Sequence, residues 1–182
     1  MAEVGQPAGA NWDRSIVERF EGPLVRFAVR ITGDLESARD VVQETFLRIF
    51  TGNRASADGH EAQWLFTVCR RRALDVARKE HRMNVATDQQ LAGQRTPAPG
   101  PAAVVENGET AGTILRLLAT LPANQQEVVR LRFQNGLSYR EIAGVTQLSV
   151  SNVGFLMHTA IATIRRRLAV PADARGDGRS KS

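Results

Sequence analysis

Six cations crowd one segment of the 182-residue chain, namely Arg70, Arg71, Arg72, Arg78, Lys79 and Arg82, and Arg165, Arg166 and Arg167 form a second group. Guanidinium and ammonium groups at this density neutralise phosphates, and the counterions they release drive binding to a polyanion. The formal net charge of +5 points the same way but says less than this distribution does. Just ahead of the second group, from Ser149 to Ile164, no residue is charged. Within that run Asn152, Phe155, Thr159 and Thr163, followed by Arg166, recur at intervals of three and four. Amide, aromatic and hydroxyl groups so spaced can meet base edges in a major groove.

Bond-making chemistry has no such basis. His60, His81 and His158 lie far apart, Cys69 is the single cysteine, and no nucleophile, base or metal-ligand cluster is visible. Arg175-Gly176-Asp177 is only a polar triplet. We therefore expect no enzyme, no cofactor and no metal. One cysteine allows no internal disulfide, which fits a reducing cytoplasm. No apolar run is long enough for a signal peptide or a membrane span, so a cytoplasmic protein without membrane contact is expected.

The elements that must position these groups are helices. Ser138 and Glu141 fit a capping box, and Ser149 offers a second N-cap soon after the first helix runs out. Two helices joined by so short a turn form a helix-turn-helix. On the second of them Val150, Val153, Met157, Ile161, Ile164 and Leu168 make one stripe, expected inward. A plain packed helical hairpin is the competing reading of these residues.

Aromatics are 5% and β-branched alternation is scarce, so the fold class expected is all-α. A first helical domain spans 11–82. Its first helix begins near Trp12 with Ile16, Phe20, Leu24, Phe27 and Ile31 in register, and Gly22-Pro23 predicts a break. Asp34 caps a second helix to about Phe50 with Val41, Val42, Phe46, Leu47 and Phe50 inward. A loop from Asn53 to His60 leads to a third, 61–82, burying Leu65, Val68, Cys69, Ala73 and Val76. Residues 83–109, with Pro97, Pro99 and Pro101, read as a flexible linker too poor in apolar bulk to fold. A second small domain covers 110–170 and ends in the helix-turn-helix. Ile114, Leu115, Leu118 and Leu121 form one face in it, Pro122 opens the next helix with Val128, Val129, Leu131 and Phe133, and Asn135-Gly136 closes that helix. A polar tail, 171–182, follows.

Four stretches carry a resemblance. Asp40-Val41-Val42-Gln43-Glu44-Thr45-Phe46-Leu47 resembles the D-L-V-Q-E-T-F-L signature of extracytoplasmic-function sigma factors, small two-domain relatives of the bacterial primary sigma subunit. Trp64-Leu65-Phe66 with Arg70, Arg71, Ala73, Leu74 and Asp75 is similar to their W-L-x-x-I-A-R-N-x-A-x-D. Leu118 to Pro122 with Val128 to Phe133 resembles L-x-x-L-P…V-x-L-R-F, and Gly136 to Ala143 resembles G-x-S-Y-x-E-I-A. The matches run in order across both domains.

The resemblance implies an RNA polymerase sigma factor that directs the core enzyme to promoters. Asp40, Gln43, Glu44, Phe46, Leu47 and Arg48 would dock on the clamp helices of the largest subunit. Arg70, Arg71, Arg72, Asp75, Arg78, Lys79 and Arg82 would face minus-10 DNA, with the loop from Asn53 to His60 helping to hold an unstacked base. Trp64 is either a stacking residue or core. Arg140, Ser149, Ser151, Asn152, Phe155, His158, Thr159, Arg165 and Arg166 would meet minus-35 DNA while the domain sits on the β flap. An anti-sigma factor or a Ser/Thr kinase are the candidate regulators. A sigma mimic that sequesters a regulator, and an ordinary helix-turn-helix repressor, are the alternatives. The basic segment argues against the first and the Asp40–Leu47 signature against the second.

Two departures stand out. The family's T-V-K-S-R-L-x-R-A becomes Asn152-Val153-Gly154-Phe155-Leu156-Met157-His158-Thr159-Ala160, so that Gly154, Leu156 and Thr159 replace basic residues. Either DNA is read through apolar and hydroxyl contacts, with Phe155 on thymine methyls and Asn152 on adenine, or this face binds protein. Ala38 and Arg39 also stand where the family has acids. Phosphorylation of Ser37 or Thr45 would restore negative charge there.

Overall fold

A computed structural model describes residues 8–52, 59–87 and 109–169, all helix and short turns with no strand. The chain divides into two units. The first contains α1 (Ala8–Thr32), α2 (Leu35–Thr51) and α3 (Glu61–Thr87); the second contains α4 (Glu109–Ala119), α5 (Ala123–Phe133), most of α6 (Tyr139–Thr146) and α7 (Val150–Ala169). The linker from 88 to 108, the loop from 53 to 58 and the tail beyond 169 lie outside the described residues.

In the first unit each helix packs on both others. α1 begins at Ala8, ahead of the expected start at Trp12, and runs unbroken through Pro23. The expected break fails because Ile16, Phe20, Leu24, Phe27 and Ala28 are buried on both sides of the proline. Burial of that whole stripe outweighs the local penalty of a missing amide donor. Gly33, at φ 88°, ends α1 by donating its N–H to the Val29 carbonyl. Asp34 then caps α2 through the Ser37 amide at 2.8 Å, and this bond holds its carboxyl below the usual range. α3 continues five residues past Arg82, so the expected linker opens as helix.

The core of this unit joins Ala38, Val41, Val42 and Ile49 of α2 to Leu65, Phe66, Cys69 and Ala73 of α3. The Phe66 ring meets Phe27 edge to face, with centroids 5.3 Å apart. Phe66 and Ile49 were not among the expected inward residues, whereas Val68 and Val76 are only half-buried. Cys69 is wholly enclosed, and burial pushes its thiol up to about 12, with a hydrogen bond involving Thr45 acting the other way.

In the second unit α7 packs against α5 and α4. Pro122 stands at the N-cap position of α5 without a side-chain cap, and its carbonyl accepts the Gln126 N–H at 3.0 Å. Gly136, at φ 72°, supplies the left-handed turn into α6, and the Leu137 N–H reaches back to the Leu131 carbonyl. Both halves of the capping box form: Glu141 accepts from the Ser138 amide at 2.7 Å, and Ser138 Oγ accepts from the Glu141 amide. Phe133, expected inward, is 66% exposed because it ends α5 beyond the packed turn.

Arg130 is the anomaly of this unit. It is buried to 9% exposure, its Nε finds no hydrogen-bond partner, and desolvation pulls its pKa down. A buried N–H without a partner costs stability. Arg130→Met, which removes it, should therefore stabilise the chain by about 1 kcal/mol in urea denaturation. Ser138→Ala, which removes the cap, should instead cost about 1 kcal/mol.

Candidate nucleic-acid interface

The outward face of α7 follows from what its other side buries. Val153, Leu156, Met157 and Ala160 are buried. At 100° per residue the opposite direction centres on Phe155, with Ser151, Asn152, His158, Thr159, Ala162 and Arg166 around it. Phe155 is 66% exposed, and Ser151, Asn152, His158, Ala162 and Arg166 are exposed too. Ala162 was missing from the expected set; its exposure follows from its place in line with Phe155. Two expected members serve the helix itself. Ser149 Oγ caps α7 by accepting from the Asn152 amide at 3.1 Å, and the half-buried Thr159 donates its hydroxyl to the Phe155 carbonyl at 2.9 Å.

Leu156 corrects the sequence reading. It stands where the family carries a basic residue, yet it is buried at 7% exposure. Its azimuth lies about a quarter turn from Phe155, toward the packed side. Val150 and Leu168, expected inward, are exposed because they sit at the ends of α7, past the packed span. Arg140, on α6, and Arg165 are exposed, whereas Arg167 donates to Thr120 Oγ1.

On α3 the basic residues separate by azimuth. Arg71, Asp75, Arg78 and Arg82 lie opposite Cys69 and are exposed, with the half-buried Trp64 on the same side. Trp64, expected as either a stacking residue or core, is thus outside the buried core. Lys79 is exposed on one flank, and Arg70 is half-buried on the other. Arg72 turns toward α2 instead, where its Nε pairs with Glu44 Oε2 at 2.5 Å. Arg78 lies 3.7 Å from Asp75, both well exposed, so that pair is weak.

The α2 residues divide likewise. Asp40, Gln43 and Leu47 share one exposed side, Leu47 at 55% exposure, so the expectation that Leu47 points inward is overturned. It lies half a turn from Ala38, which is fully buried. Phe46, expected to dock, is buried and stacks on Phe50 at 5.9 Å. Glu44 is engaged by Arg48 at 2.8 Å as well as by Arg72. Because Ala38 is a core position, an alanine there removes nothing from a docking surface. The phosphorylation reading also fails at Thr45, which is 0% exposed and donates to the Val41 carbonyl at 2.7 Å. Ser37 is half-buried with its hydroxyl 3.1 Å from Glu80, a carboxylate that would repel a phosphate.

The two helical units correspond in order to the two parts of a sigma protein. The Sigma-70 region 2 family matches residues 16–83, and Sigma-70, region 4 matches 111–168. ECF RNA polymerase sigma factor SigL of Mycobacterium tuberculosis is 30% identical over 172 residues, covering 92% of this chain and 96% of that one. SigM of Bacillus subtilis is 28% identical over 139 residues, covering 75% and 83%. Among solved structures, the Bartonella quintana sigma factor RpoE, in complex with the anti-sigma factor NepR, aligns at TM-score 0.59 with 21% identity over 88% of this chain and 98% of that one. CnrH, in complex with the cytosolic domain of CnrY, aligns at 0.53 with 24% identity over 91% and 90%. The chain belongs to the ECF sigma factors of the sigma-70 family and directs RNA polymerase to promoters. Members of this family are transcription initiation factors. No helix among the described residues is long and apolar enough to cross a membrane.

The assignment of faces on α7 has a direct check. Phe155→Ala should change unfolding free energy by less than about 0.5 kcal/mol, as expected of an exposed position. Leu156→Ala next to it should cost about 2–5 kcal/mol in the same urea titration.

Proposed function

We propose that the two units divide promoter recognition between them. The first docks on core polymerase through the exposed side of α2, where Leu47 is an apolar knob flanked by Asp40 and Gln43. Its α3 then holds minus-10 DNA, with Arg71, Arg78, Lys79 and Arg82 on phosphates and Trp64 placed to stack on an unpaired base. The second unit meets the minus-35 element with the outward face of α7, flanked by the exposed Arg140, Arg165 and Arg166. The chain makes and breaks no bonds itself; it supplies position and charge to the polymerase, in the cytoplasm. The observation that carries this reading is the segregation on α3: three arginines and a tryptophan stand on the side opposite the buried Cys69, while Arg72 is turned away to Glu44.

Regulation follows the neighbours. RpoE and CnrH are both complexed with a partner, for RpoE an anti-sigma factor, and we propose that this chain too is held by an anti-sigma protein. The burial of Thr45 removes one of the two sites that favoured a kinase.

In-vitro transcription with core polymerase on a genomic promoter library tests the division of labour. Arg71→Ala, Arg78→Ala and Arg82→Ala combined should keep core binding, cut initiation at least about tenfold, and lower the salt dependence of promoter binding by about two to three counterions. Leu47→Asp should lose core binding with the fold intact by circular dichroism. A triple arginine variant that initiates like the parent would remove α3 from the DNA path.

A further inference from the structure

We propose that Phe155 is the specificity determinant of α7 and that it selects thymine, through the 5-methyl group exposed in the major groove. The inference rests on the reading that this face meets the minus-35 element, and it names what the face can recognise there.

The argument is one of elimination among side chains at the face. Readout of guanine relies chiefly on a bidentate arginine or lysine, and readout of cytosine on a carboxylate accepting from its amino group. α7 has neither from Val150 through Ile164; its first charge is Arg165. Thr159 already donates its hydroxyl to the helix. Four side chains able to meet base edges stand on the exposed side, Ser151, Asn152, Phe155 and His158. The serine hydroxyl and the imidazole can bond more than one base, whereas the Asn152 amide has adenine N6 and N7 as its natural target and the Phe155 ring fits a thymine methyl. The two selective groups, Asn152 and Phe155, both favour A·T pairs.

Phe155 occupies the middle of this face with two-thirds of its surface open, at 66% exposure. A ring left so open on a helix whose other side is fully packed contributes nothing to the core. Tyr139 of α6, itself exposed, borders the same face: a Cβ placed on Gly154 would sit 3.9 Å from its Cε2. The glycine thus leaves open the space beside the Tyr139 ring that a longer side chain would occupy. Arg132, with its guanidinium 5.9 Å from the Tyr139 ring, and the exposed Arg140, Arg165 and Arg166 supply cations for phosphates at the edges. Cations at the rim with an uncharged centre suit a duplex, whose charge lies on its backbones and whose methyl groups lie in the groove. This charge complementarity favours DNA over a protein partner.

The test replaces thymine by uracil, which deletes one methyl and leaves every hydrogen-bonding group in place. Holoenzyme assembled from the full chain and core polymerase is used to select from randomised promoter-length duplexes, amplified with either dTTP or dUTP. The parent should enrich thymine at one or two upstream positions in the first pool and lose that enrichment in the second. At an enriched position, T→U should weaken holoenzyme binding roughly fourfold, the scale of one buried methyl. Phe155→Ala should bind the thymine and uracil duplexes alike, while Phe155→Leu, still apolar, should retain part of the preference. Equal enrichment by the parent and Phe155→Ala would overturn the thymine assignment and leave minus-35 reading by other residues standing. No upstream enrichment by the parent, with minus-10 selection intact, would overturn the DNA reading of α7 itself and assign this face to a protein partner.

Discussion

Val153, Leu156, Met157 and Ala160 are buried on the side of α7 that packs against its neighbours, and much of this protein's function depends on that seam. A helix offers one direction outward once the opposite one is packed. Leu156 and Phe155 are adjacent in the chain and similar in character, yet burial at 7% against exposure at 66% gives them unrelated duties. The seam also isolates the absence of charge. The side of α7 turned outward ahead of Arg165 is uncharged, so the cations of this helix are confined to its C-terminal end.

The first unit applies the same constraint across two antiparallel helices. α2 and α3 share an apolar core, and polar pairs close the seam along its length: Ser37 with Glu80 toward one end, Glu44 with Arg72 toward the other. Thr45 and Cys69 lie just past the second pair, fully enclosed, with the threonine proton donated to Val41 and the thiol kept neutral by burial. Drawing Arg72 into the seam takes one cation from the basic segment and leaves Arg71, Arg78 and Arg82 together on the free side. Glu44 is accordingly a joint between α2 and α3.

Arg130 is the exception to this economy of charge. At 9% exposure its side chain is packed into the unit, yet its Nε is left without a hydrogen-bond partner.

What could be read from the chain alone was local. Asp34, the Ser138–Glu141 box, Ser149 and Gly136 each act within a few residues, so their caps and turns were visible in the residue types themselves. The motif order likewise announced the family. Which residue of each helix faces outward was decided only by tertiary packing. Leu47 and Phe133 are large and apolar yet exposed, Thr45 is polar yet fully buried, and Pro23 lies inside a helix it was expected to end. The reason is physical: a cap is set by hydrogen bonds to its own turn, whereas burial is set by the surface of a partner helix distant in sequence, whose shape no local pattern carries.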